Sequence, residues 1–196
     1  SKIKKISGHS KIITTQGSGS TVLEMVSLNF LRGNILIVST GYYSERLYNL
    51  SLFAKKSHKY IKKVTKVDWK NLDSVKNKYD WIWACYTETS NGFKLPIKEL
   101  KKLSIRTKSK LAIDATASFG LENNHNLADV VSFSSCKGLL GLTGAGFICY
   151  NLEPKNKVNS FVLSLDNAKN KKMTGPYHSI QSLEHILKNY SNFKKS

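Results

Sequence analysis

Five short apolar runs recur along this chain: NILIVS (residues 34–39), DWIWACY (80–86), KLAID (110–114), DVVSFS (129–134) and GFICY (146–150). Each is too short for a core helix and is apolar at consecutive positions rather than alternate ones. That pattern belongs to a strand covered on both faces. A weaker strand pattern lies around residues 60–64. Between the runs the period changes to that of helices. Residues 21–31 place Val22, Leu23, Val26, Phe30 and Leu31 on one face, and residues 44–56 turn Leu47, Leu50 and Phe53 inward. Residues 69–78, capped by Asp68, residues 96–107, with a proline in the first turn, and residues 178–189 complete the helical set. A strand buried on both faces needs helices on both faces, so the pattern predicts an α/β fold with a mostly parallel sheet between helical layers. Residues 151–174 are polar and weakly patterned, and read as a surface excursion.

The chain has 196 residues, 40% of them hydrophobic, which is enough for one domain with a core. No apolar run reaches bilayer length, and SKIKKI at the start leads into no signal-type segment, so a cytoplasmic protein that avoids membranes is expected. Cys85, Cys136 and Cys149 form no CxxC pair; neither a disulfide framework nor a metal site is expected, and Cys85 and Cys149 read as small core residues. The net charge is +18. It comes almost wholly from lysines scattered through KIKK, AKK, IKK, ELKK and NKK, with arginine at positions 32, 46 and 106. Scattered lysine is poorly suited to bidentate readout, so nucleic acid is not an expected partner.

Parallel sheets bind ligands beyond the carboxyl ends of their strands. The chemically suggestive residues fall there: the turn Gly17-Ser18-Gly19-Ser20, Tyr43, Glu88-Thr89, Asp114 and Ser134-Ser135-Cys136-Lys137. The glycine–serine turn opens a helix. It is either a flexible turn with Ser20 as N-cap, or a cradle whose backbone N–H groups and hydroxyls hold an anion. It is neither a P-loop nor a GxGxxG fingerprint. Asp114 either caps a turn or contacts a ligand. Lys137 sits before a glycine- and leucine-rich stretch, residues 138–146, which predicts an apolar enclosure that would favour an uncharged, nucleophilic amine. Together an anion cradle, a carboxylate, a lysine and an aromatic ring suit pyridoxal 5'-phosphate. The cradle takes the phosphate, the carboxylate pairs the pyridine nitrogen, the lysine bonds the aldehyde, and the ring of Tyr43 stacks on the pyridine.

Six stretches in order (QGSGSTVLE, ILIVSTGYYSERL, ETSNGFKLPIKEL, LAIDATASFG, DVVSFSSCKGLLGLTGAGF and TGPYHSIQSLEHIL) resemble the class V aminotransferases, pyridoxal-phosphate enzymes of fold type I. DATASFG, Tyr43 and TGPYH most resemble the branch that acts on 2-aminoethylphosphonate and pyruvate; cysteine desulfurases fit less well. The resemblance implies the three-layer α/β/α large domain of the aspartate aminotransferase type, spanning residues 1–196, with an N-terminal segment and a C-terminal small domain not represented. It implies transamination between a small amino donor and a 2-oxo acid acceptor: 2-aminoethylphosphonate and pyruvate, giving phosphonoacetaldehyde and alanine. An alanine– or serine–glyoxylate enzyme and an incomplete, non-catalytic member are the alternatives. It also implies a homodimer with shared active sites. By position, Lys137 carries the cofactor and moves the proton, Asp114 pairs the pyridine nitrogen, and Ser18, Gly19 and Ser20 hold the phosphate. Tyr43 stacks on the ring, Thr89 touches the cofactor edge, Ser179 reaches the phosphate of the partner subunit, and His178 supports that loop. The chain departs from relatives at Cys136, where Gln, Asn or His is common, and at Ser20, where Thr or His is common. No residue takes the role of the substrate-gripping arginine of the small domain.

Overall fold

The computed structural model describes residues 1–170 and 173–193 of the chain. In order the elements are α1 (Lys2–Ser7), β1 (Lys11–Gln16), α2 (Gly19–Asn29), β2 (Gly33–Ser39), α3 (Tyr42–Ser57), β3 (Ile61–Asp68) and β4 (Trp81–Cys85). There follow the short pair β5 (Thr87–Glu88) and β6 (Phe93–Lys94), α4 (Ile97–Thr107), β7 (Lys110–Asp114), β8 (Val130–Ser134) and β9 (Ala145–Tyr150). The last elements are α5 (Leu165–Lys169), α6 (Tyr177–Lys188) and α7 (Tyr190–Phe193).

Seven strands form one sheet in the order β1-β9-β8-β7-β4-β2-β3. The five strands from β8 to β3 are parallel, whereas β9 runs antiparallel to both β8 and β1. Two reversals return β1 to the common direction. The ends of β1, β2, β4, β7 and β8 therefore share one edge of the sheet.

Along each central strand alternate residues serve opposite cores, as the pleat requires. Leu36, Val38, Ile82, Ala84, Leu111, Ile113, Val131 and Phe133 pack with Ile3 of α1, with Ile97, Leu100 and Leu103 of α4, and with Leu183 and Leu187 of α6. Ile35, Ile37, Trp81, Trp83, Ala112 and Val130 pack on the other side with Val22, Leu23, Met25 and Val26 of α2, and with Leu47 and Ala54 of α3. Phe133 stacks on Phe119 at a centroid distance of 3.6 Å. Both faces are thus covered, and the expected layered α/β fold is what forms.

Four local expectations change. Phe53 is 65% exposed rather than inward. The buried line on α3 is Ser44, Leu47, Ser51 and Ala54, spaced three and four apart, and Phe53 lies off it. Residues 69–78 form only a 3-10 turn, Trp69–Ser74, although Asp68 does cap it. Asn71 leaves helical geometry, and its carbonyl accepts a hydrogen bond from the Ser74 hydroxyl, a local side-chain bond of the kind that competes with a helix ladder. The N-cap of α2 is Ser18, not Ser20: Ser18 accepts from the Thr21 N–H while the Thr21 hydroxyl accepts from the Ser18 N–H. The excursion, of which residues 171 and 172 lie outside the described set, contains α5 with Leu165 buried. Its Asn156 donates to the carbonyls of Leu28 and Leu31 at 2.9 and 2.8 Å, and so finishes the end of α2. Strand β1 and helix α1 carry no strong sequence signal; β1 exists because β9 offers it an edge.

Among the described residues no helix is long and apolar enough to cross a membrane, and no group of three or more His, Cys, Asp or Glu could hold a metal ion.

Candidate active site

At the shared edge the turns enclose a cleft of about 190 Å³. Ser18, Gly19, Ser20, Tyr43, Thr89, Asp114 and Lys137 all line it. Positions more than a hundred residues apart in the chain meet because β1, β2, β4, β7 and β8 end together.

The glycine–serine turn enters from β1. Its Gly17 N–H is tied to the Gly144 carbonyl at 2.9 Å, which anchors the turn to the start of β9. Ser18 caps α2, and the first-turn N–H groups of Gly19 and Ser20 precede any acceptor the helix can supply. A Cβ on residue 19 would lie 3.1 Å from the Thr116 hydroxyl, so glycine keeps the floor of this cup clear.

Asp114 ends β7 and is 5% exposed. Its Oδ1 accepts from the Thr116 N–H at 2.9 Å and from the Thr116 hydroxyl at 2.6 Å, which leaves Oδ2 for the cleft. Burial pushes its carboxyl above the ordinary range; the Thr116 hydrogen bonds and the charges of Lys137 and Arg46 oppose that push without cancelling it. A cation placed against Oδ2 would therefore be welcome.

Lys137 follows β8 in a short 3-10 turn, Lys137–Leu139, and has φ 57°. A left-handed lysine is uncommon, and such backbone strain concentrates at functional sites. Surrounding contacts hold the turn. A Cβ at Gly138 would fall 2.6 Å from the Phe119 carbonyl oxygen, and the Gly138 carbonyl accepts from Tyr190 at 3.2 Å. The apolar enclosure expected for Lys137 is not there. The residue is exposed, and Leu140 and Leu142, read as its cover, are themselves 53% and 61% exposed. Its Nζ lies 4.9 Å from the Tyr43 ring centroid instead.

Tyr43 is placed by Glu88, a residue that the sequence marks only by position. Glu88 is fully buried, and its carboxylate accepts from the N–H groups of Tyr43 and Ser44, at 3.1 Å each, and from the hydroxyls of Thr40 and Ser90. A Cβ on Gly41 would meet the Glu88 carboxyl carbon at 2.9 Å, so glycine admits the approach. Burial pushes the Glu88 carboxyl up, but the bonds from Ser90, Tyr43 and Ser44 outweigh it and hold the group below the ordinary range. One carboxylate thus joins the start of α3, which bears Tyr43, to the loop that bears Thr89.

Ser179 does not line the cleft. Its hydroxyl donates to the Thr143 carbonyl at 2.7 Å, beside the loop that anchors the glycine–serine turn, and the neighbouring His178 is exposed. Arg46, Thr87 and Thr116 also line the cleft without a sequence signal of their own, with Cys85, which reads as a core residue, and Ser134, which reads as part of the turn leading to Lys137. Cys85 is buried as expected, and burial, with the charges of Asp114 and Glu88, pushes its thiol up. The Thr87 hydroxyl is buried without a hydrogen-bond partner. An orphaned hydroxyl, an uncovered helix start, a buried carboxylate with a free oxygen and a strained lysine make a donor set that fits a phosphorylated pyridine aldehyde. Next to the lysine, the Cys136 sulfur lies 3.3 Å from the Ser134 hydroxyl.

The family model described as aminotransferase class-V matches residues 2–182. The 2-aminoethylphosphonate–pyruvate transaminase of Salmonella agona is 28% identical over 200 residues, covering 90% of this chain and 54% of the relative. The enzyme of the same description from Klebsiella pneumoniae is 26% identical over 198 residues, with the same coverage. The chain therefore spans about half the length of these relatives. Among solved structures, an aspartate aminotransferase from Thermus thermophilus superposes with a TM-score of 0.80 at 18% identity, over 99% of this chain and 62% of its own. An alanine–glyoxylate aminotransferase from Nostoc sp. gives 0.77 at 17% identity, over 95% and 56%. At these identities the likeness is one of fold.

Proposed function

This chain belongs to the class-V aminotransferase family, whose cofactor is pyridoxal 5'-phosphate, and from that premise we propose that it binds the cofactor in the cleft at the sheet edge and takes part in amino-group transfer. The observation that carries the proposal is the convergence of Ser18, Gly19, Ser20, Tyr43, Thr89, Asp114 and Lys137 on that one cleft. Bound there, the cofactor supplies an electron sink that lets a C–H bond beside an amino group break.

The chain's own residues do the rest. Ser18, Gly19 and Ser20 hold the phosphate through the N–H groups and hydroxyls at the start of α2, where the helix dipole favours an anion. Asp114 Oδ2 accepts a hydrogen bond from the ring nitrogen and keeps a proton on it. Tyr43 covers one ring face, and Thr89 and Thr87 offer hydroxyls at the ring edge. Lys137 would hold the cofactor through Nζ and, as a free amine, would carry a proton at Nζ between the substrate carbon and the cofactor carbon. Residues 1–196 form the cofactor-binding large domain in this reading. Ser179 serves the partner's cofactor phosphate in a homodimer with shared sites.

For the substrates we take 2-aminoethylphosphonate as amino donor and pyruvate as acceptor, giving phosphonoacetaldehyde and alanine. The reading is supported by the names of the relatives from Salmonella agona and Klebsiella pneumoniae. The alanine–glyoxylate type is the second reading, favoured by the likeness to the Nostoc structure. Protein mixed with pyridoxal 5'-phosphate should develop a visible absorbance band that borohydride bleaches and that Lys137→Ala lacks. A wild-type chain that shows no such band would refute cofactor binding. With the band in hand, faster aldehyde release from 2-aminoethylphosphonate with pyruvate than amino transfer to glyoxylate would select the first substrate pair, and the opposite order the second.

A further inference from the structure

The cleft contains a second cation, Arg46, from the second turn of α3. It is half-buried, and its guanidinium carbon lies 5.0 Å from the Tyr43 ring centroid and 5.9 Å from that of Tyr42. One of its nitrogens donates to the Ser20 hydroxyl at 3.1 Å. Among the described residues no carboxylate pairs with it. Its charge is felt by Asp114 in the same cleft. The other two arginines are engaged elsewhere: Arg106 donates to the Leu72 carbonyl and pairs with Asp73, and Arg32 lies over the Tyr60 ring.

A guanidinium has five donors in a rigid fork suited to two oxygens of one anion. Arg46 spends one of them on Ser20, a hydroxyl of the glycine–serine cup, and its guanidinium lies over two tyrosine rings. It is therefore held beside the glycine–serine turn and, among the described residues, has no acidic partner. Gly19 and Ser20 line the cup from the start of α2, and Arg46 lines it from α3.

We propose that Arg46 completes the phosphate site, its fork donating to the oxygens of a phosphate seated on Ser18, Gly19 and Ser20. This inference rests on the cofactor reading above.

The test compares pyridoxal 5'-phosphate with pyridoxal, which has the same ring and aldehyde but no phosphate. Affinities are read by absorbance titration on the unaltered chain and on Arg46→Gln and Arg46→Lys. Losing a charge-assisted fork should weaken capture of pyridoxal 5'-phosphate about tenfold or more in Arg46→Gln. Pyridoxal capture should stay within about twofold, and Arg46→Lys, which keeps the charge but not the fork, should fall between. Inorganic phosphate should compete with pyridoxal 5'-phosphate on the unaltered chain more strongly than on Arg46→Gln. The inference is overturned if Arg46→Gln weakens both ligands equally, which would make Arg46 a support for the ring alone, or weakens neither. If the unaltered chain captures neither ligand, the cofactor reading itself falls and takes this inference with it. Matched thermal unfolding of the three proteins excludes loss of fold as the cause.

Discussion

Replacing Glu88 by glutamine tests how the cleft is held open. In the native chain Oε2 accepts from Tyr43 N–H, Ser44 N–H and the Thr40 hydroxyl, and Oε1 accepts from Tyr43 N–H and the Ser90 hydroxyl. In Glu88→Gln the amide oxygen can take the Oε2 position and keep its three donors, while the amide nitrogen faces Ser90, whose hydroxyl can turn and accept. No N–H is left orphaned, but each bond falls from charge-assisted, roughly 1.5–3 kcal/mol, to neutral, roughly 0.5–1.5 kcal/mol. Over three bonds the loss is about 3 kcal/mol, part of which is returned because a charge no longer has to be buried, so a net cost of about 1–2 kcal/mol is expected. The sign with pH follows from the depressed carboxyl. The wild-type advantage is fully present above the ordinary glutamate value of 4.5 and is lost as pH falls through the lower folded value. Urea unfolding of both proteins at neutral pH and at about pH 3 measures this. The gap should be widest at neutral pH and should narrow in acid. Equal stability at neutral pH, or a gap that does not change with pH, would refute the assignment of Glu88 as a charged clamp on α3.

Asp114→Asn should make the cofactor-free protein more stable at neutral pH, because burial disfavours the charged form there, while weakening capture of pyridoxal 5'-phosphate; thermal unfolding and titration on the same samples check both signs. Gly138→Ala would put a methyl 2.6 Å from a backbone oxygen. It should cost about 1–3 kcal/mol in urea unfolding and displace Lys137, whereas Gly175→Ala, with open space around it, should change neither stability nor cofactor capture. Asn156→Ala leaves the Leu28 and Leu31 carbonyls without that donor, and should cost about 1–3 kcal/mol and speed proteolysis within residues 151–164.

The candidate site was largely legible because these residues lie at or just beyond the ends of strands. Ser18, Tyr43, Thr89, Asp114 and Lys137 lie at breaks in the apolar pattern, where a buried run gives way to small or polar residues. The roles of Arg46 and Glu88 were not legible in that way. Arg46 is one basic residue among 31 and sits inside a helix pattern, and Glu88 is marked only by its position beyond a strand end. What distinguishes them is the partner each meets across the fold: Ser20 for Arg46, and the Tyr43 and Ser44 N–H groups for Glu88. The setting of Lys137 was misread for a related reason. Local composition reports how apolar a stretch is, not which of its side chains turn toward solvent.

By itself the sequence determined the layers. Runs such as Ile35, Leu36, Ile37 and Val38 can be buried only if both faces of a sheet are covered, and the period of the intervening segments says that helices cover them. It also placed the chemistry at the strand ends. The strand order was decided by the tertiary structure alone. The order β1-β9-β8-β7-β4-β2-β3, with β9 reversed, brings the turns after β1, β2, β4, β7 and β8 to one edge and closes them around a single cleft. Burial of apolar surface is indifferent to which strand neighbours which. That choice is made by the fit of α2 and α3 on one face against α1, α4 and α6 on the other, a condition that no local window of sequence contains.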